Sequence, residues 1–398
     1  MLDFVLFFIK PLVILFRHIG RVVPKDQKLW IFGAWVGQKY SDNPKYLFEY
    51  VNEHDSSSRA VWLTKSKEVY RSLNAQGFEC HYFYSPHAIW LALRAKFIVY
   101  CVAYQDVSYF CFLFAYNSTI INLWHGTPLK KLDLSRIPIA VAARDALTTL
   151  IGRECDFICS ASDEVTLKLQ NYFNNPAEVF FVTGYPRNDG LFDARSLGEI
   201  FPELQQFEGK NIIAYMPTFR EYGAGKKRVN LFESFGFDIQ RMDEKLEKLN
   251  AVLLIKLHYR DREALGKLEK QNCKNVLFLN DNTIHDDIYP FLAHTNILIT
   301  DYSSVYFDFL LLNRPIIFSC FDLEEYKTKD RGFYFDYDLA TITPGEKTQS
   351  WLEIEDNISS ILSGEDKHKQ DRLKALKLFN KYMDGKNSKR AYEAILQK

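Results

Sequence analysis

The stretch "NILITDYSSVYFDFLLLNRPIIF" (296–318) decides the fold. An apolar run of strand length ends at Asp301, Ser303 and Ser304 open a helical segment reaching Asn313, and Pro315 begins a second apolar strand, "PIIFSC". Strand, helix and strand in so short a span make a βαβ unit, with parallel strands buried on both faces. In such units chemistry gathers where a strand stops and a helix starts. Serine at a helix start satisfies free backbone N–H groups, and the same positively polarised terminus accepts anions. Asp301 beside it suits orientation of a hydroxyl or a cationic partner. Plain N-capping by the serines is the alternative.

The alternation continues in both directions. Upstream of 296, strands are predicted at 211–219, 252–258 and 276–280, and helices at 242–251 and 284–295. Earlier still, strands at 29–35, 59–64, 79–84, 96–102, 118–126 and 156–162 alternate with helices at 43–54, 66–77, 85–95 and 163–173. The polar stretch 193–210 joins the two blocks. The fold class expected is α/β with two Rossmann-like domains facing across a cleft, covering 23–200 and 201–398, the last helix being free to cross back to the first domain. In open α/β sheets ligands lie beyond the carboxyl ends of the strands.

A chain of 398 residues exceeds one ordinary core, in keeping with two domains. Lysine plus arginine (50) balances aspartate plus glutamate (50), so bulk charge gives no support for nucleic-acid binding and any anion site must be local. The seven cysteines are scattered, lack a CxxC pair and read as reduced core residues, which excludes a disulfide framework. The start, "MLDFVLFFIKPLVILFRHIGRVVPK", is densely apolar but interrupted by Lys10, Pro11 and Arg17. It suits a membrane-interface helix over 1–22, with Lys10, Arg17 and Arg21 toward headgroups, better than a span or a cleaved signal. The alternative is a helix docked on the protein's own surface.

Three further places carry chemistry. "IINLWHGTPLKKL" (120–132) puts His125 at a strand tip, Gly126 permits close approach, and Thr127–Pro128 reads as a helix start. Lys130 and Lys131 nearby would hold the imidazole nearer its neutral form, as a general base needs. "LLIKLHYRDRE" (253–263) delivers His258, with Arg260 and Arg262 beyond, to a strand end suited to a diphosphate. "YMPTFRE" (215–221) offers Thr218 and Arg220 to a phosphate, or a turn with a solvated arginine. In "VTGYPRNDGLF" (182–192), Arg187 and Asp189 form a structural pair or contact ligand, and sequence leaves the two readings even. "DYD" (336–338) is a weak metal pattern; no divalent metal requirement can be read, and no cofactor is assigned.

Together, "NLWHGTPLKKL", "TGYPRND", "YMPTFRE", "IKLH", "TDYSSVYFDFLLLNRPIIF" and "DLEEYKTKDRGFYFDY" resemble, in content and order, the CDP-glycerol glycerophosphotransferase family of teichoic-acid primases, polymerases and capsule-polymer relatives. The resemblance implies a GT-B architecture. It also implies transfer of a polyol phosphate from CDP-glycerol or CDP-ribitol to a hydroxyl of a lipid-linked acceptor at the cytoplasmic face of the cell membrane, with CMP released. By resemblance His125 matches the general base and His258 the histidine on the donor diphosphate. Ser303 and Ser304 match the phosphate-binding helix start and Asp301 the acidic residue before them. Arg331 and Gly332 would extend the donor site, while Gly126, Thr127 and Asp189 would lie on the acceptor side. A departure is Tyr259, where the family often has proline. A sugar-nucleotide glycosyltransferase on the same fold, or a catalytically silent membrane scaffold, stands as the alternative.

Overall fold

A computed structural model describes residues 15–398 other than 17, 109–110, 112–114, 132–154, 174, 219–229, 258–272, 280–286 and 330–331. The described chain divides into two compact units. The first lies within Met1–His125, Asp133–Asp189 and Asp384–Lys398, and the second within Gly126–Leu132 and Gly190–Met383.

The first unit is built on β1 (Asp26–Phe32), β2 (Arg59–Thr64), β3 (Cys80–Tyr82), β4 (Ala95–Tyr100), β5 (Thr119–Asn122), β6 (Phe157–Ser160) and β7 (Phe180–Val182). They form one sheet in the order β3-β2-β1-β4-β5-β6-β7, every pair parallel. Helices Asp42–His54, Lys67–Ala75, Pro86–Arg94 and Asp163–Phe173 connect strands, and Asn387–Leu396 returns to this unit from the chain's end. Trp30, Ile31, Val61, Ile98, Ile120 and Ile158 are fully buried. Each such side chain contributes roughly 1.5–3 kcal/mol by leaving water, which is why the central strands read as unbroken apolar runs.

The second unit repeats the plan. β8 (Asn211–Tyr215), β9 (Ala251–Ile255), β10 (Val276–Phe278), β11 (Ile297–Thr300), β12 (Ile316–Ser319) and β13 (Glu346–Thr348) pair in the order β10-β9-β8-β11-β12-β13, again all parallel. Strand order reverses between β1 and β4 in one sheet and between β8 and β11 in the other, so each sheet has a switch point.

Three details depart from expectation. The helix expected over 303–313 is an α-helical turn at Val305–Phe309 continued by a 3₁₀ turn at Leu310–Leu312. The helix expected over 284–295 is seen at Tyr289–His294, its first residues lying outside the described set. Edge strands β7 and β13 were not anticipated: they are three residues long and one of them, EKT, is polar.

At the start of the described chain, Phe16 packs on the first unit's core while Leu15, Ile19 and Val22 face outward. Among the described residues no helix is long and apolar enough to cross a membrane. Lys10 and Arg17 lie outside the described residues.

Candidate active site

In the first unit, the loops after β1, β4 and β5 meet at His125. β5 ends at Asn122, whose side-chain oxygen accepts the Trp124 N–H at 2.9 Å. Trp124 takes φ 56° and Gly126 φ 119°, so the chain doubles back sharply around His125. Trp124 pays a conformational penalty that a glycine would not; the loop persists because its carbonyls are gripped from behind. Asn43 Nδ2 donates to the carbonyls of Leu123 (3.1 Å) and Trp124 (2.8 Å), and its Oδ1 accepts the Arg187 N–H at 3.0 Å. Arg187 Nη1 donates to the His125 carbonyl at 2.8 Å and to Asp42 Oδ1 at 2.9 Å. The Asp42 and Arg187 side chains are 5% and 6% exposed, making a buried ion pair directly behind the histidine.

The imidazole is half-buried between two indoles, with ring centroids 4.0 Å from Trp124 and 6.1 Å from Trp35. Its Nδ1 lies 3.1 Å from the Cys101 carbonyl oxygen. A carbonyl only accepts, so Nδ1 carries the proton and the neutral ring keeps its lone pair on Nε2. Burial holds the pKa below the ordinary histidine value; Arg187 acts in the same direction, while Asp42 and the Cys101 carbonyl oppose it.

The lysines do not supply that effect as expected. From Gly126 the chain belongs to the second unit, where Lys130 bridges Phe333 in antiparallel fashion and its ammonium lies 5.2 Å over the Tyr326 ring. The helix start expected at Thr127–Pro128 is also absent: residues 127–131 form no helix, and Lys130 sits in a β-bridge. The reason is strand-like pairing, since Lys131 N–H donates to the Gly332 carbonyl (3.0 Å) and Tyr334 N–H to that of Leu129 (2.8 Å). Thr127 is buried, and Gly332, at φ 69°, serves that pairing through its backbone.

Two carboxylates read as functional also hold the scaffold. Asp189 accepts the N–H groups of Asn387 and Ser388, each at 2.8 Å, and so caps the last helix. Arg187, left even by sequence between a pair with Asp189 and a ligand contact, forms a buried ion pair with Asp42. In the second unit Asp301 is 0% exposed. Its Oδ1 accepts Thr218 N–H at 2.8 Å and Tyr302 N–H at 2.5 Å, and its carbonyl accepts the Tyr337 hydroxyl at 3.0 Å. Fully buried, Asp301 ties the loop after β8 to the turn after β11, at the switch point of that sheet.

Ser303 and Ser304 are half-buried at that turn. Ser303 Oγ accepts the Val305 N–H at 3.4 Å, whereas Ser304, at the N-cap position, makes no side-chain capping bond. Tyr302 and Tyr326 stack at 4.1 Å, with Phe333 5.9 Å from Tyr326 and 5.1 Å from Tyr337, building an aromatic wall beside the serines. His258, Arg260, Arg262, Arg220 and Arg331 lie outside the described residues.

Asp336 and Asp338 of "DYD" form a local turn, Asp336 Oδ1 accepting Asp338 N–H, and Asp338 pairs with Lys327. Among the described residues the group with metal-ligand spacing is Glu79, His81 and His87 at the β3 edge, where Arg59 already grips both Glu79 oxygens. Sequence reasoning missed Asn43, Asp42 and Asp106, polar residues buried in the first unit. The signal for Asp42 and Asn43 was "SDNPK" (41–45), polar residues opening a helix right after a strand block, which reads as ordinary capping.

Comparison with known proteins bears on this geometry. Residues 15–397 match the family model described as CDP-Glycerol:Poly(glycerophosphate) glycerophosphotransferase. The teichoic acid glycerol-phosphate transferase of Staphylococcus aureus (strain NCTC 8325 / PS 47) is 29% identical over 387 residues, 94% of each chain. The teichoic acid poly(glycerol phosphate) polymerase of Bacillus spizizenii (strain ATCC 23059 / NRRL B-14472 / W23) is 29% identical over 350 residues, 84% of each. The solved structure of the wall teichoic acid polymerase TagF matches with TM-score 0.72 at 23% identity, covering 94% of this chain and 89% of that one, and shares the α/β fold with two parallel sheets of the GT-B type. The chain belongs to the CDP-glycerol:poly(glycerophosphate) glycerophosphotransferase family.

Proposed function

We propose that this transferase moves glycerol phosphate from CDP-glycerol to a hydroxyl of a lipid-linked acceptor in teichoic acid or capsule polymer synthesis. The observation that carries the reading is His125, neutral, protonated on Nδ1 and presenting the Nε2 lone pair. An alcohol is a poor nucleophile, so a base must take its proton as it attacks. His125 Nε2 takes that proton; the alkoxide oxygen bonds to the glycerol-bearing phosphorus; the bond from that phosphorus to the bridging oxygen breaks, and CMP leaves with the electron pair. Negative charge spreads over the non-bridging oxygens, where backbone N–H groups and cations stabilise it. In the second unit Ser303, Ser304 and Thr218 serve the donor phosphates, with His258, Arg220, Arg331 and Gly332 in the same role; Asp301 sets the loop that presents Thr218.

Glycerol is favoured over ribitol by the glycerol-phosphate relatives that match along 84–94% of this chain, against ribitol-phosphate relatives matching over 52–70% of it. Peripheral binding at the cytoplasmic face of the membrane is supported by the exposed Leu15, Ile19 and Val22 beside Arg21. The experiment incubates the protein with radiolabelled CDP-glycerol, CDP-ribitol or UDP-sugars, with and without lipid acceptor. CMP release from CDP-glycerol, abolished in His125→Ala with donor binding retained, is expected; release of UMP or UDP instead would sink the reading. Deleting residues 1–20 is expected to move the protein from membrane to soluble fractions, and unchanged partitioning would assign membrane contact elsewhere.

A further inference from the structure

The turn after β1 is strained in a way its sequence does not require. Trp35, Val36 and Gly37 have φ of 49°, 58° and 73° in succession. For a β-branched residue such as Val36 this is a true outlier, and backbone strain of that kind persists only where surrounding structure over-determines it. Here it is over-determined. Asp106 Oδ1 accepts the Val36 N–H at 2.7 Å, Gly37 N–H donates to the Ala34 carbonyl at 2.9 Å, and the Gly37 carbonyl accepts from Thr64 Oγ1 (2.9 Å) and Lys65 N–H (2.7 Å). A Cβ on Gly37 would meet the Phe83 ring at 2.1 Å, so the turn is also walled in.

Trp35 and Val36 are 39% and 40% exposed, although large apolar side chains normally bury. The Trp35 ring nevertheless stands 6.1 Å from the His125 ring. One buried carboxylate links the two. Asp106 Oδ2 accepts N–H groups of Cys101 (3.0 Å), Val102 (2.7 Å) and Ala103 (3.4 Å), and the Cys101 carbonyl receives His125 Nδ1–H. The base and the exposed indole are therefore set by the same anchor.

We propose that Trp35 is an acceptor-positioning residue: its indole face, presented by the strained turn, packs against the C–H surface of the polyhydroxylated acceptor and aligns the attacking hydroxyl with His125 Nε2. This rests on the transferase reading above. The chemistry suits a polyol or sugar residue, whose C–H bonds form an apolar face while its hydroxyls remain free to react. Val36 extends the apolar surface, and Asp106 fixes both loops without touching substrate.

The test measures transfer from radiolabelled CDP-glycerol, titrating a detergent-solubilised lipid extract of bacterial membranes as acceptor. Trp35→Ala is expected to raise the half-saturating extract at least tenfold while the KM for CDP-glycerol stays within twofold, and Trp35→Phe to restore most of the loss. Trp35→Gly, which takes a positive φ freely, is expected to raise the melting temperature and still lose acceptor affinity, a split that a purely structural role does not give. Unchanged acceptor saturation in Trp35→Ala, or an equal rise in the CDP-glycerol KM, overturns the proposal. Calorimetric titration with the same extract and no donor separates the two readings. If wild-type protein releases no CMP, the transferase reading fails, while weaker extract binding by Trp35→Ala still upholds the role of Trp35 and equal binding overturns it.

Discussion

Asn43→Ala removes the side chain that grips the His125 loop from behind. Asn43 is 0% exposed, and its amide satisfies the Leu123 and Trp124 carbonyls and the Arg187 N–H in one place. Truncation leaves two carbonyls and one N–H buried without that partner. Each lost bond is worth about 1 kcal/mol net, and a stranded buried group costs about 1–3 kcal/mol, partly relieved by relaxation. A loss of about 2–4 kcal/mol is expected, or roughly 4–16 °C in melting temperature at about 2–4 °C per kcal/mol for a domain of this size. Activity falls further than stability predicts. Trp124 holds φ 56° only because its carbonyl is pinned; once released, the histidine drifts, and a displacement of about 1 Å costs on the order of 100-fold in rate. The assay pairs thermal unfolding with CMP release below the melting range. Asn357→Ala, which loses a single exposed bond to the Glu353 carbonyl, is the control and should change stability by no more than about 0.5 kcal/mol. An Asn43→Ala protein as stable and as fast as that control would refute the clamp.

Other outcomes follow from the same geometry. Because burial lowers the His125 pKa and the neutral ring is the base, kcat/KM should fall on the acid side with an inflection below about 6.5; an inflection above that value contradicts the burial argument. The same lowered pKa means the unfolded chain binds the proton more readily, so His125 contributes stability that is present above about pH 6.5 and is lost as pH drops through the folded value. Asp301→Ala frees the Thr218 and Tyr302 N–H groups, and should cost about 2–4 kcal/mol and raise the CDP-glycerol KM more than it lowers kcat; unchanged donor affinity would detach Asp301 from donor positioning. Burial pushes Cys80 and Cys159 up to about 12 and Cys320 up to about 11, so iodoacetamide at pH 8 should modify half-buried Cys273 first and the six buried thiols only on unfolding. Early labelling of Cys101, beside His125, would show that loop to be open.

The α/β class was legible because a strand buried on both faces must be apolar throughout, and "NILIT", "PIIFS" and "VLLI" have no other use for three or four successive large apolar residues. Strand order follows from physics that local sequence does not hold. That β1 pairs with both β2 and β4 depends on how crossover helices cover the sheet, and the edge strands β7 and β13 escape notice because one face of their pairing is enough to form them.

For the candidate site, the sequence by itself determined which residue types stand at strand ends: His125 after β5, Asp301 after β11, and the serines beyond it. Position along one strand is a local property. What each group does was decided only by tertiary structure. Asp301 and Asp189 read from sequence as site residues, and only the fold shows that each also holds backbone N–H groups of distant segments. Thr127–Pro128 has the spelling of a helix start, but its neighbours found a partner strand two hundred residues along, and a hydrogen bond made at long range displaces one only latent in the local chain. The tautomer of His125 was settled by Cys101, on another loop. A buried polar group must be satisfied by whatever the fold brings near it, and that partner is named nowhere in its own stretch of sequence.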